Sequence, residues 1–370
     1  MGSEDVARYS PLDVCRVAAL RQRLRFQSPK GPPHGTKYVL VSGLVSMHGI
    51  IRTSKNEGTP VNPDPQEVPV LLIVFNRPAE TAAVLDVLAQ MRPRRVFVAA
   101  DGPRAGNSLD LELCTRVREM VRDKVHWKCE LETRFLERNA GCRMAVSGAI
   151  NWFFEAVESG IILEDDTVPD VSFFSFCSEL LEVYRHDDRV HMISGDNFQD
   201  GILRGRCGYY FTQFAHIWGW ATWRNRWQEY DVTMKDWPAY RETRDFRDRF
   251  SSSAAFMFWK NFFDSVRSGK TDTWDAQWVL AAWLRDRLSI VPETNLVTNI
   301  GFSGSATHTL TPDHTANLPR QAITQPLRHS SQVAANRDAD LYTERKLYSP
   351  TWRRRISGRV RSMARIVGLS

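Results

Sequence analysis

Three consecutive carboxylates, Glu164, Asp165 and Asp166, follow directly on Ile161, Ile162 and Leu163 in the stretch GIILEDDTVPD. The apolar run reads as a buried strand, and a strand that carries three mutually repelling acids to its end needs a cation among them. Mg2+ and Mn2+ take oxygen ligands and commonly bind one or two protein carboxylates plus substrate phosphates, so a metal shared with a diphosphate is the expected cation. Three neighbouring side chains cannot all face one ion. Asp166 is expected to ligate it, while Glu164 and Asp165 accept hydrogen bonds from ligand hydroxyls.

A fourth carboxylate stands apart. Asp275 lies between Trp274 and Trp278 in TWDAQWVLAAW. An apolar setting suits a carboxylate for accepting a proton as general base, and the same position also reads as the N-cap of the following helix. The tryptophans Trp218, Trp223 and Trp227 of HIWGWATWRNRW read first as core.

The elements that must position these groups alternate. VPVLLIVF (68–75) is a buried-strand run, ETAAVLDVLAQM (80–91) has helical spacing, and VFVAADG (96–102) is a strand ending in an Asp-Gly turn. A helix (109–123), a strand (129–137), a helix (145–157), the IILEDD strand, a helix beginning at Asp170 and a strand at 190–195 follow. Alternation of this kind predicts an α/β fold with a mostly parallel sheet between helices. Ligands of such sheets bind beyond the carboxyl ends of the strands. Three strands end there in polar residues: Asn76-Arg77, Asp101 and the Glu164 triplet. An Asp after a strand also serves turns, and Asp101 taken alone reads equally well that way.

Composition sets outer limits. With 370 residues, 42% of them hydrophobic and 25% charged, the chain is ordinary globular material for one large or two modest domains. A formal charge of +6 fits an anionic partner such as a nucleotide, a phosphorylated lipid or a membrane surface. Six cysteines without a CxxC pair or a preceding secretory segment predict reduced thiols in a cytoplasmic protein. No segment reaches the roughly 18 to 20 apolar residues of a spanning helix. Residues 1–67, ending in the Pro- and Asn-rich TSKNEGTPVNPDPQE, read as a poorly ordered extension and linker, with Met47 as a candidate start.

The ordered set strand-Asn-Arg, strand-Asp-Gly, ILEDDTVPDVSFFSF, VHMISGDN, HIWGW, TWDAQW and VPETNLVTNIGFSGSATH resembles the GT-A glycosyltransferases related to eukaryotic N-acetylglucosaminyltransferase I and their bacterial homologues. The resemblance covers about Val68 to Thr309. It implies a GT-A, Rossmann-like fold, with a nucleotide-sugar-binding half at 68–196, an acceptor and catalytic half at 197–310, and a C-terminal tail at 311–370. It also implies an inverting, metal-dependent transfer from a nucleotide-diphospho-sugar, a UDP-sugar first among donors, to a glycan or lipid-linked acceptor. Mn2+ or Mg2+ would sit on Asp166, with Glu164 and Asp165 facing the ribose and the transferred sugar. Asn76, Arg77 and Asp101 would hold the nucleotide, and Arg143, by position, the diphosphate. Trp274, Trp220 and His308 would contact substrate, with Asp275 as base.

This chain lacks the N-terminal membrane helix of the eukaryotic members, which favours a cytoplasmic bacterial enzyme. Its region after Gly195 differs in length and sequence, so neither the donor sugar nor the acceptor carries over. In SPTWRRRISGRVRSMARIVGL (349–369), Trp352, Ile356, Val360, Met363 and Val367 share a helical face among arginines. Such a stretch either lies on an anionic membrane at the inner face of the cell membrane or packs on the domain. Two other function classes stay open: a metal-dependent phosphodiesterase or nuclease, and a non-catalytic sugar-binding protein on a transferase fold. The absence of an HxH or HExxH pattern weighs against the nuclease, and nucleic acid is not an expected partner.

Overall fold

The computed structural model describes residues 63–205, 207–302, 315 and 317–349. His308, Met47, residues 1–62 and the amphipathic stretch at 352–367 lie outside them. The first half alternates as expected: β1 (Val70–Val74), α1 (Pro78–Met91), β2 (Arg95–Ala100), α2 (Ser108–Lys124), β3 (Glu130–Phe135), α3 (Cys142–Ala156), β4 (Ser159–Glu164), β5 (Thr167–Pro169), α4 (Ser172–Val183) and β6 (Val190–Ser194). Then come β7 (Tyr209–Thr212), β8 (Trp220–Trp223), α5 (Arg224–Trp227), α6 (Trp237–Tyr240), α7 (Arg244–Asp248), α8 (Ser253–Arg267), α9 (Asp275–Trp283), β9 (Leu288–Pro292), β10 (Val297–Asn299) and α10 (Arg337–Thr343).

Eight strands form one sheet in the order β3-β2-β1-β4-β8-β6-β9-β7, and β10 pairs with β5 in a separate ribbon. The sheet is mixed. β3, β2, β1 and β4 run parallel, as do β6 and β9, but β8 enters between β4 and β6 antiparallel to both, and β7 closes the edge antiparallel to β9. The Trp-rich segment thus supplies a central strand, and strands from both sides of residue 196 share one sheet. β1 and β6 are buried at every position, the uninterrupted apolar pattern of a strand covered on both faces.

The supposed linker and tail both carry structure where they are described. Pro63 accepts a hydrogen bond from Ser178 Oγ at 3.2 Å, and Gln66 Nε2 donates to the Met91 carbonyl at 2.9 Å, fastening residues 63–67 to α4 and α1. At the other end, Thr298 Oγ1 donates to the Leu318 carbonyl at 2.8 Å and Ile323 N to Ser172 Oγ at 3.0 Å. Asn336 N then reaches the Phe211 carbonyl at 2.7 Å, so the strap shields part of edge strand β7 from pairing elsewhere. No described helix is long and apolar enough to cross a membrane.

Candidate functional site

A cavity of about 300 Å³ opens at the carboxyl ends of β1, β2 and β4. The triplet reaches it because EDDT is a tight corner. Thr167 Oγ1 accepts from Glu164 N at 2.9 Å and donates to the Glu164 carbonyl at 3.0 Å, which leaves Asp165 and Asp166 at the turn between β4 and β5. The cation that the acids require is, in the structure, Arg77. Its Nη1 donates to Asp166 Oδ2 at 2.8 Å and its Nη2 to Asp165 Oδ1, while Phe75 N donates to Asp165 Oδ2 at 3.2 Å. Pro78 fixes Arg77 at this place: it occupies the first position of α1, where its missing N–H costs nothing, and Arg77 is the N-cap.

Burial works against these charges and the pairing offsets it. Burial would pull the Arg77 guanidinium down, yet the charges of Asp165 and Asp166 hold it above the usual arginine range. Burial pushes the Asp165 carboxyl up despite Arg77, and burial together with Asp166 and Asp165 pushes Glu164 up further. Gly301 completes the corner; a Cβ there would stand 2.0 Å from Asp166 Oδ2 and 2.9 Å from Arg77 Nη1.

The other sequence-derived site residues divide. Asp101 and Trp274 line the cavity with Arg77 and the triplet. Asp101 also serves as a turn anchor: its Oδ1 accepts from Gly102 N at 2.7 Å and Ala140 N at 2.8 Å, and its Oδ2 from Asn139 Nδ2 at 2.8 Å. Asn76 is absent from the wall and donates to Asp110 Oδ1 at 2.8 Å. Arg143 is also outside the wall. Its Nη2 binds the Val266 and Thr271 carbonyls at 3.0 and 2.9 Å, and its Nε faces Asp272 Oδ1 at 3.7 Å. It secures the end of α8 and the loop before α9. Trp220 is fully buried and stacks on Trp274 with centroids 5.6 Å apart, one layer behind the cavity.

Asp275 is also one layer back. Its side chain is fully buried, its Oδ1 accepts from Thr273 Oγ1 at 2.5 Å and Ala276 N at 2.8 Å, and its Oδ2 has no partner among the described residues. Burial raises its pKa to about 7. Thr273 does line the cavity, and its hydroxyl donates to the buried acid behind it. Sequence reasoning missed Thr273, Asp272 and Arg134, all in the wall. Adjacency to the Trp-Asp pair could have pointed to Thr273 and Asp272, and no sequence signal pointed to Arg134.

For a divalent cation, the available donors are few. Among the described residues no group of three or more His, Cys, Asp or Glu is arranged to hold a metal. Asp166 lines the cavity and Arg77 engages its Oδ2, so among the described residues Oδ1 is the oxygen left to ligate a cation. That set fits a hard cation completed by water and ligand phosphates and does not fit one held by protein alone.

No family model and no curated protein matches the chain. Among solved structures, HddC from Yersinia pseudotuberculosis, crystallised in complex with GMP-PN, is similar at 8% identity and a TM-score of 0.27, over 43% of this chain and 77% of that one. A likeness that low carries no argument about fold or function.

Proposed function

We propose that the chain is a GT-A-type, metal-dependent, inverting glycosyltransferase that moves a sugar from a nucleotide-diphospho-sugar to a glycan or lipid-linked hydroxyl. One observation carries this reading. The strand-end acids with their Arg77 and Trp274, about 110 residues apart in sequence, line one cavity that has an apolar floor at β1 and β2, and Asp275 lies behind its wall, bonded to Thr273. A nuclease would gather further acidic or histidine ligands around the metal, and the described wall offers none beyond those named.

In this reading Asp101 and the apolar floor receive the nucleoside, and Glu164 and Asp165 accept hydroxyls of ribose and sugar. Asp166 Oδ1 would hold Mn2+ or Mg2+, which when bound supplies positive charge to the departing diphosphate. Arg77 keeps the two aspartates in place. The acceptor hydroxyl attacks the anomeric carbon from the side opposite the diphosphate. Its proton passes to Thr273 Oγ1 as the proton of Thr273 passes to Asp275 Oδ1, so the buried carboxylate acts as base without touching the acceptor.

Thermal melting with candidate ligands tests the class. A nucleoside diphosphate plus Mn2+ should raise the melting temperature more than either alone, and Asp166→Ala should remove the synergy. Stabilisation by nucleic acid, or by free sugar without metal, would move the protein to one of the other two classes.

A further inference from the structure

We infer that Arg134 reads the base of the donor nucleotide, favouring an oxo-bearing base edge over adenine. The inference rests on the nucleotide reading above. The register of the parallel strands sets Arg134 beside Ala99, Ala99 beside Ile73, and Ile73 beside Glu164. Partners in parallel register project from the same face, so these four side chains form one row across β3, β2, β1 and β4. All four line the cavity. At about 4.8 Å per strand the row spans ~14 Å, which leaves room for a base with its ribose between the two end side chains. Its ends are charged and its middle is apolar, as a flat ring lying on Ala99 and Ile73 requires.

Arg134 is partly buried against α3, where a Cβ on Gly148 would stand 3.4 Å from its Nη1. Among the described residues its guanidinium has no hydrogen-bond or ion-pair partner. The neighbouring arginines differ. Arg77 binds Asp165 and Asp166, Arg104 binds Asp110, Arg118 binds the Asp101 and Leu136 carbonyls, and Arg143 binds Val266 and Thr271. A half-buried group with five donors and no acceptor is what a ligand must complete.

The ligand atom at this end belongs to the base and not to the phosphates. The phosphates have to lie near Asp166 and Thr273, where transfer occurs, and Arg134 is on the outermost strand, three strands from β4. A guanidinium edge presents paired N–H donors, which match O6 and N7 of guanine or O4 of uracil. The N6 amino group of adenine would set donor against donor.

Titration calorimetry on the full chain in Mn2+, with UDP, GDP, ADP and inorganic pyrophosphate, tests this on wild type, Arg134→Ala and Arg134→Gln. Wild type should bind UDP or GDP at least about tenfold more tightly than ADP, the size of one charged hydrogen bond. Arg134→Ala should collapse that ratio and leave pyrophosphate affinity unchanged. Arg134→Gln, which keeps a donor, should retain part of the ratio, and it serves as the test if the alanine variant does not fold. An unchanged ratio in the folded variants, an equal loss for every nucleotide and pyrophosphate, or a wild-type preference for ADP overturns the inference alone. A wild type that binds no nucleoside diphosphate overturns the nucleotide reading, and the role of Arg134 with it.

Discussion

Arg77 and Asp165 are buried together, with side-chain exposures of 15% and 3%, so removing the arginine strands two carboxylates in a poorly solvated corner. Arg77→Met should lower unfolding free energy by about 3 kcal/mol, read by urea denaturation, because breaking a buried pair leaves an uncompensated charge. Adding Asp165→Asn should recover part of that loss. Thr273 and Asp275 give a different signature. With the Asp275 pKa near 7, transfer should rise with pH through about 7 and then level off. Thr273→Val should abolish transfer while donor binding persists, Thr273→Ser should retain activity, and Asp272→Asn should leave the pH profile in place. A fully active Thr273→Val would show that protons reach Asp275 by another route. The sequence disclosed the acids and the Trp-Asp pair but not their partners. Arg77 is 88 residues from Asp165, Asn76 turns to Asp110, and Arg143 satisfies one carbonyl at the end of α8 and one in the loop after it, more than a hundred residues on.

At the scale of elements, two glycines limit how closely the wall can be built. A Cβ at Gly102 would lie 2.3 Å from the backbone carbon of Arg138, and Asp101 ties the same loop through Asn139 and Ala140. At Gly301 the Cβ would strike Asp166. Gly301→Ala should therefore break the Arg77–Asp166 pair and weaken metal-dependent nucleotide binding, with a smaller loss of stability than Arg77→Met, since one carboxylate is displaced and not two. Unchanged binding by calorimetry would mean that the turn relaxes around the added methyl group. The βα alternation up to β6 was legible from apolar runs and helical spacing. β7 and β8 were not: YYFT and WATW are each 4 residues long and aromatic, and such runs do not distinguish strand from core helix. β3, ELETRF, hid Arg134 on the same strand face as the exposed Glu130 and Glu132, so the sequence read that face as solvated and gave no hint of a cavity.

Across the whole molecule, buried ionisable groups set the pH response. Burial raises the carboxyl of Asp275 to about 7 and those of Asp196 and Asp340 well above their usual range. Burial also lowers His216 to about 3 and His191 well below 6.5. An acid whose pKa is raised on folding keeps its proton where the unfolded chain has lost it, so its contribution is complete below about 4 and fades as pH rises toward the folded pKa. The histidines act oppositely: neutral when folded, they favour the folded state above about 6.5 and oppose it as pH falls. Between pH 6.5 and 8 the buried acids lose their stabilising protons, while the two histidines of the unfolded chain shed only what remains of theirs, so the acids set the sign. Stability should therefore fall across that interval, and Asp275→Asn should flatten the decline up to about pH 7. A melting temperature that climbs from pH 6.5 to 8 would contradict this.

The most direct measurement is release of nucleoside diphosphate from a panel of nucleotide-sugars, with and without Mn2+, by wild type, Asp166→Ala and Asp275→Asn. Wild type should show Mn2+-dependent turnover of at least one oxo-base donor, lost in Asp166→Ala. In Asp275→Asn, transfer to acceptor should fail while donor binding remains. If wild type turns over no nucleotide-sugar at saturating Mn2+, the strand-end carboxylates are a structural ion-pair corner and the transferase reading is wrong.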